Sequence, residues 1–158
     1  MILARISRQA LLVAPVRLAL ALAGLAASLL VGESRTPALL AFAIGTFGMA
    51  FAVVADRRGG IFAPRSDPEP APDDASFESP GELVRHAVLP STVGVSVLAA
   101  IAFAAGQNGL GALLSGALGG MGLAALAYGS VLAWQERADG SALYLDRRGG
   151  RLYTGARR

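Results

Sequence analysis

The side chains that could take part in catalysis are few, and they lie outside the apolar stretches of the sequence. His86 is the only histidine and follows Arg85 where an apolar stretch begins. A catalytic base needs a nucleophile and an orienting acid beside it, whereas a histidine at such a boundary is usually an interface residue. Cysteine is absent, and no G-x-S-x-G or H-E-x-x-H motif occurs. We therefore predict that the protein is not an enzyme and binds no cofactor.

The acidic residues that come nearest to a metal site lie in a proline-rich segment, residues 64–79. Asp67, Glu69, Asp73 and Asp74 could be imagined as ligands of a cation. Calcium loops require a defined ligand spacing and a glycine turn, and the interspersed prolines prevent both. A segment rich in proline and acid, with few apolar groups, is typical of a chain without persistent structure. We predict a solvated linker here and no metal site.

Long apolar blocks supply the elements on which any site must be built. Of the 158 residues, 54% are hydrophobic and 16% are charged, which is too few charges for the surface of a soluble domain of this size. About 20 apolar residues in a helix cross the hydrocarbon core of a bilayer. We predict an all-α integral membrane protein that forms a single membrane domain over residues 1–158. Its four transmembrane helices are expected at about 15–32, 37–55, 87–106 and 110–134.

No ionisable residue lies deep in any of the four predicted spans. Transporters of ions or protons usually retain such residues, which are costly in lipid and are kept for function, so a proton-coupled pump is disfavoured. Arg17 lies at the start of the first predicted span, where its long side chain can extend to the lipid headgroups. The intramembrane hydroxyls, among them those of Thr46, Ser96 and Ser115, can each bond a backbone carbonyl one turn back. They are weak evidence for a transport path.

The arginines predict how the chain is oriented in the membrane. All 14 basic residues are arginines, and thirteen of them fall in the N-terminal segment, the 56–86 connection or the 135–158 tail. Only Arg35 falls in one of the two short loops. Because basic residues are enriched on the cytoplasmic side, we predict that both termini, the connection and the tail are cytoplasmic. The abundance of alanine, glycine and arginine indicates a GC-rich bacterial genome, and hence the bacterial cytoplasmic (inner) membrane.

Local signals predict how the first and third helices begin. Residues 2–14 place apolar groups near helical spacing, which predicts a short helix at the lipid interface before Pro15 turns the chain inward. Arginines before an apolar core also resemble a secretory signal peptide, but no small-x-small cleavage site follows the core, so we predict a retained helix. Ser79 and Glu82 have the spacing of a capping box, and Pro90 is expected to kink the third helix.

The basic tail, residues 135–158, is predicted to act at the membrane surface. Its stretches ALYLD and RLYTG flank a glycine pair, which predicts a small β-hairpin. An isolated hairpin is marginally stable in water, so it needs a partner or the membrane. The anionic cytoplasmic leaflet would attract Arg147, Arg148 and Arg151. The alternative is that these arginines only orient the chain in the membrane. The arginines flank apolar blocks, so the expected partner is the lipid bilayer and not a nucleic acid.

Small residues at three- and four-residue spacing predict where the helices pack closely. Gly116 and Gly120 form the best-defined pair, in the fourth span, while Gly24, Ser28 and Gly45 lie in similar stripes of the first two spans. Small residues let helix backbones approach closely, which is how helices associate in lipid. The contact could lie within the bundle or against another protein, and the sequence does not separate the two.

Three functional hypotheses follow from these patterns. Charge-free helices, small-residue stripes and a basic tail favour a non-enzymatic accessory or scaffold subunit of a bacterial membrane protein complex, with other membrane subunits as partners. The alternative is a small transporter subunit or pore-forming protein, which a water-lined cavity bearing Thr46, Ser96 or Ser115 would favour. An enzyme acting at the lipid interface through His86 is the third.

Overall fold

Four α-helices of 11 residues or more and one small sheet make up the described part of the protein. The computed structural model describes residues 2–31, 35–55, 69–72, 75–79, 81–82, 85, 89–146 and 151–156. The helices are α1 (Ile6–Val31), α2 (Arg35–Ala55), α3 (Gly94–Ala104) and α4 (Asn108–Asp139). The strands are β1 (Ile2–Arg5), β2 (Glu69–Pro70), β3 (Ser76–Phe77), β4 (Ser141–Asp146) and β5 (Leu152–Ala156).

Three of these helices have membrane length. α1, α2 and α4 contain 26, 21 and 32 residues and are apolar enough to cross a bilayer. The apolar helical stretch that contains α3 is shorter and runs from Ser91 to Ala104. Before α3 lies a π-helical turn, Leu89–Val93, at the place where Pro90 removes a backbone donor from the helix. The third predicted span, at about 87–106, is thus helical from Leu89 to Ala104, and its first two residues lie outside the described part of the chain.

α4 is the central helix of the bundle. In its most apolar stretch 56% of the residues are buried, compared with 17% in α1 and in α2. Its glycines bring it close to both neighbours: Gly129 faces Ala10, and Gly119 faces Ala21. These two contacts run in opposite directions along the helices, so α1 is antiparallel to α4. α2 lies parallel to α4, because residues 42 and 46 face residues 116 and 120 in the same order.

Standard capping motifs close the ends of α3 and α4 and one helix start in the middle connection. At the end of α3 the N–H of Gln107 donates to the carbonyl of Ala102 (2.8 Å) and that of Gly106 to Phe103 (3.0 Å), a Schellman motif that needs the left-handed Gly106 (φ 76°). Gly140 (φ 70°) ends α4 in the same conformation and turns the chain into β4. The predicted capping box is confirmed, since the N–H of Ser79 donates to Glu82 Oε2 (3.1 Å) and the N–H of Glu82 to Ser79 Oγ (3.4 Å).

A five-stranded sheet joins three distant parts of the chain beside the first residues of α1 and the last residues of α4. Its strand order is β2-β5-β4-β1-β3. β4 and β5 form the hairpin that the tail sequence predicts, closed where the N–H of Asp146 donates to the carbonyl of Arg151 (2.9 Å). β1 pairs antiparallel with β4, and the two-residue strands β2 and β3 add parallel edges. The N-terminal segment, the middle connection and the tail therefore meet in one sheet.

The sheet has a small hydrophobic core of its own. Its buried members are Leu3, Ala142, Tyr144 and Tyr153, with Ala71 and Ala75 packed against them. The O–H of Tyr144 donates to the carbonyl of Ala156 (2.9 Å), and the ring of Tyr144 lies 4.9 Å from that of Phe77. A hairpin alone would leave these rings exposed to water. In the sheet, residues of the middle connection pack against them.

Two expectations about this end of the molecule differ from the structure. Residues 2–14 do not form a separate interfacial helix: residues 2–5 are β1, and α1 continues from Ile6 through Pro15. The acidic segment expected to lack persistent structure contains β2 and β3 among its described residues. Both differences arise from pairing with strands far away in the sequence, which a local pattern does not contain. The expected helical protein with a small C-terminal hairpin is thus a helical bundle in which that hairpin belongs to a five-stranded sheet.

Candidate functional site

Close contact between α4 and α2 depends on three glycines, two in α4 and one in α2. A Cβ atom added at Gly116 would overlap the carbonyl oxygen of Phe42, and one at Gly120 would overlap that of Thr46. On the α2 side, a Cβ at Gly45 would overlap the carbonyl oxygen of Leu113. Backbone lies against backbone here, the arrangement that small residues permit in lipid. These predicted packing residues therefore lie at a contact inside the bundle.

The contact between α4 and α1 follows the same pattern. A Cβ at Gly24 would overlap the side chain of Ser115. Ser28 is completely buried, and its hydroxyl donates to the carbonyl of Leu25 (2.8 Å). Gly48 provides a contrast on α2, because nothing lies within 4 Å of a Cβ placed there. Small residues in this sequence thus divide into those that meet another helix and those that do not.

A buried carboxylate joins the helices to the sheet. Glu136, in the last turns of α4, is 2% exposed. Its Oε2 accepts hydrogen bonds from Arg5 Nη2 (2.7 Å), Arg5 Nε (3.2 Å) and Ser7 Oγ (2.8 Å), and its Oε1 accepts one from the backbone N–H of Leu143 (3.2 Å). The partners come from β1, α1 and β4. One side chain therefore holds the end of α4, the start of α1 and the sheet together.

The local fold explains why these groups meet. β1 continues directly into α1, so Arg5 and Ser7 lie at a strand–helix junction. Gly140 turns the chain from α4 into β4 four residues after Glu136, which returns Leu143 to the carboxylate. The ion pair with Arg5 neutralises a charge that burial alone would make unfavourable. The sequence signal for this junction is absent, because 129 residues or more separate Glu136 from Ser7 and Arg5.

A second arginine links α1 to the start of the α3 region. Arg17 Nε donates to Thr92 Oγ1 (3.0 Å), and Arg17 Nη2 donates to Ser91 Oγ (3.0 Å). Thr92 is completely buried. Arg17 was expected at a helix start with its side chain free to reach the headgroups, but α1 begins at Ile6. Arg17 is instead an interior residue of a membrane-length helix, and the described residues give it two hydroxyl partners.

The described residues line two cavities between the helices. The first, of about 180 Å³, is lined by residues of α1, α3 and α4, with Ser96 and Ser115 as its polar members. Ser115 donates to the carbonyl of Gly111 (2.8 Å), and Thr46 in α2 bonds that of Phe42 (2.9 Å), as expected for hydroxyls in a helix. Ser96 differs, because its buried Oγ has no hydrogen-bond partner in the described part of the chain. This cavity therefore contains one unsatisfied hydroxyl.

The second cavity, of about 220 Å³, lies among α1, α2 and α4. It is lined by Ala10, Arg17, Val53, Met121, Ala124, Ala125 and Tyr128. Apart from Arg17 and the hydroxyl of Tyr128, these side chains are apolar. A cationic group beside a mostly apolar cavity is suited to an amphiphilic ligand.

Two of the three predicted membrane-surface arginines lie outside the described residues. These two are Arg147 and Arg148, whereas Arg151 is exposed just before β5. Among the described residues, no three His, Asp or Glu side chains lie close enough together to hold a metal ion. The roles of the three arginines and the absence of a cofactor stay predictions.

No protein-family model, no curated protein and no solved structure matches this chain. Its function must therefore be inferred from the contacts of the described residues.

Proposed function

We propose that the chain is a non-enzymatic accessory or scaffold subunit of a membrane protein complex in the bacterial cytoplasmic membrane. The chain crosses the bilayer four times, with α3 in the third span, and both termini and the sheet are cytoplasmic. The sheet supports this arrangement, because it contains strands from the N-terminal segment, the middle connection and the tail. Segments that share a small sheet lie on one side of a membrane, and the arginine distribution favours the cytoplasm for that side.

The observation that carries the proposal is a row of exposed, bulky side chains on α2. It consists of Leu40, Ile44, Phe47 and Phe51, which are 59%, 64%, 74% and 74% exposed. Their spacing of four, three and four residues is that of a helix seam. The opposite side of α2 contacts α4 through Gly45, so the row faces away from the bundle. A transmembrane helix of another subunit is the partner that this seam fits.

Photocrosslinking in native membranes tests the partner. A photoreactive phenylalanine analogue at Phe47 or Phe51 is expected to yield one discrete protein adduct, whose composition mass spectrometry then identifies. The matched controls are Leu22 and Leu30 on α1, which are 63% and 85% exposed and are expected to label lipid only. Equal labelling patterns at all four positions would mean that the α2 row faces lipid, and the scaffold proposal would fail.

Cysteine labelling tests the topology, and the chain suits it because it contains no native cysteine. Single cysteines at Thr36 and Gln107, both exposed at helix starts, are expected to react with an impermeant maleimide added outside intact spheroplasts. Cysteines at Glu69 and Asp139, also exposed, should react only after the membrane is opened. Labelling of Gln107 from the cytoplasmic side would show that α3 does not cross, and three spans would replace four.

The second candidate function, a transporter subunit or pore, is favoured by the cavity that holds Ser96 and Ser115. An unsatisfied hydroxyl in a cavity can bind water or a polar solute. Purified protein in liposomes distinguishes the two functions: the scaffold proposal expects K⁺ release no faster than from empty liposomes. Rapid release that Ser96→Leu abolishes would identify a pore. Ala127→Leu, on an exposed position of α4, is the control for the added side chain.

A further inference from the structure

Arg17 places a positive charge inside a membrane-length helix, and no acidic residue of the described part of the chain pairs with it. The one ion pair among the described residues joins Arg5 to Glu136, so the guanidinium of Arg17 has only the hydroxyls of Ser91 and Thr92. Hydroxyls satisfy hydrogen-bond donors but do not neutralise charge. An uncompensated charge at membrane depth is costly and is usually retained for a function.

The depth of this group can be estimated from the helix lengths. Arg17 lies 14 residues before the end of α1 at Val31, which corresponds to about 21 Å at 1.5 Å per residue. The apolar stretch Ser91–Ala104 has nearly the same length, about 20 Å. The hydrocarbon core of a bilayer is about 30 Å thick. Arg17, Ser91 and Thr92 therefore form a polar shelf about 10 Å short of the cytoplasmic boundary in the proposed orientation.

The direction of the Arg17 side chain lets a headgroup reach this polar shelf. Side chains of a helix point towards its N-terminus, so the guanidinium of Arg17 extends from α1 towards the cytoplasmic leaflet. A phosphate group can then approach the shelf from the leaflet.

The donors on the shelf match a phosphate. A guanidinium has five N–H donors, and the bonds to Ser91 and Thr92 use one on Nε and one on Nη2. Each of the two hydroxyls accepts from Arg17 and can still donate its own hydrogen. Arginine and hydroxyl donors together form the short, charge-assisted bonds with which proteins hold phosphate oxygens.

The apolar lining of the adjacent cavity favours a lipid over a free inorganic anion as the ligand. Arg17 lines the cavity of about 220 Å³, whose other walls are mainly apolar: Ala10, Val53, Met121, Ala124 and Ala125. Apolar walls gain free energy by covering hydrocarbon and none by covering an inorganic ion. From the charge, the depth and the cavity we infer that Arg17 binds the phosphate of a cytoplasmic-leaflet phospholipid, whose acyl chain occupies this cavity. The inference rests on the proposed membrane orientation.

Lipid titration of the purified full chain tests the site, with native mass spectrometry as the readout. Phosphatidylglycerol and phosphatidylcholine are expected to occupy one tight site. Diacylglycerol, which has the same chains without phosphate, should bind at least about tenfold more weakly. Inorganic phosphate at millimolar concentration should displace neither phospholipid. Displacement by inorganic phosphate would assign the site to a soluble anion and overturn the inference.

Variants locate the site on Arg17 and its cavity. Arg17→Gln is expected to weaken phosphatidylglycerol binding about tenfold, because it removes the charge, while Arg17→Lys retains most of the affinity. Arg8→Gln, an exposed arginine of the same helix, should leave binding unchanged. Ala125→Leu fills the cavity without touching a charge and should also weaken binding, whereas Ala127→Leu, exposed on the same helix, should not.

The outcomes separate this inference from the proposed function. Unchanged binding in Arg17→Gln and in Ala125→Leu, each with a native thermal midpoint, overturns the lipid site and leaves the scaffold proposal intact. Failure of the unmodified chain to bind any phospholipid would likewise overturn the lipid site, while the cysteine labelling decides the membrane orientation separately. A loss of binding in Arg8→Gln equal to that in Arg17→Gln would mean that general surface charge attracts the lipid, and the site would again be rejected.

Discussion

Glu136→Ala is expected to destabilise the protein by about 3 kcal/mol, because it leaves a partly buried arginine without its carboxylate. Arg5 loses both of its bonds to Oε2, and Ser7 and the N–H of Leu143 lose their acceptor. These partners belong to three different elements. The sheet should therefore separate from the helices before the helices themselves unfold.

Cysteine alkylation measures this separation directly. Ala142 is completely buried in the core of the sheet, and a cysteine there is expected to react slowly in the otherwise native chain. Glu136→Ala should accelerate its alkylation by about a hundredfold, the equivalent of 3 kcal/mol. Asp139→Ala removes an exposed acid of the same helix and should not change the rate. Equal rates in both variants would show that the carboxylate does not hold the sheet.

A double variant separates the charge from the packing. Replacing Arg5 and Glu136 together by methionine removes both charges and leaves no unpaired one, and such replacements are often neutral or stabilising. The double variant is therefore expected to be more stable than Glu136→Ala. If the double variant loses as much stability as the single replacements of Arg5 and Glu136 added together, the two side chains do not interact.

The parts of this fold that the sequence predicts are those with local signals. The apolar blocks that contain α1, α2 and α4 need only composition and length for their recognition. The hairpin of β4 and β5 follows from two short alternating stretches around glycines, and the capping box of Ser79 and Glu82 follows from a three-residue spacing. Each of these features is formed by residues near one another in the chain.

The parts that the sequence does not predict are formed by distant residues. β1 looks like the first turn of an interfacial helix, and its pairing with β4 involves residues more than 130 positions away. Glu136 looks like one more charge of a solvated tail, although its partners make it the centre of a junction. Arg17 looks like a flanking arginine because Pro15 suggests a helix start, whereas α1 begins nine residues earlier. Local patterns carry no information on these pairings.

The packing glycines show both the strength and the limit of such patterns. Gly116 and Gly120 are recognisable by spacing, but the same spacing rule includes Gly48, which contacts nothing. Leu118 lies off the stripe of Gly116 and Gly120, and by spacing alone it would serve as an uninvolved control. It is 1% exposed and lines the cavity that holds Ser96. Spacing identifies a face of a helix, and only the neighbouring helices decide which faces are covered.

Gly116→Ile and Gly120→Ile are expected to loosen the pairing of α2 with α4. Even a Cβ atom at these positions would overlap the carbonyl oxygens of Phe42 and Thr46. Backbone atoms cannot rotate away as a side chain can, so the helices must separate to admit the new group. Overpacking costs about 1–3 kcal/mol in well-packed interiors, and the backbone contact puts these variants at or above the upper end of that range.

Gly48→Ile is the matched control for these variants, because it makes the same chemical change on the partner helix where the space is open. It also removes a flexible residue from a helix interior, which alone should be neutral or slightly stabilising. The thermal midpoint in mild detergent should fall for Gly116→Ile and Gly120→Ile and stay level for Gly48→Ile. A fall of equal size in all three would mean that isoleucine is tolerated nowhere along α2 and α4, and that backbone contact is not the cause. A smaller fall for Gly116→Ala than for Gly116→Ile would show that the loss of stability grows with the volume forced between the two helices.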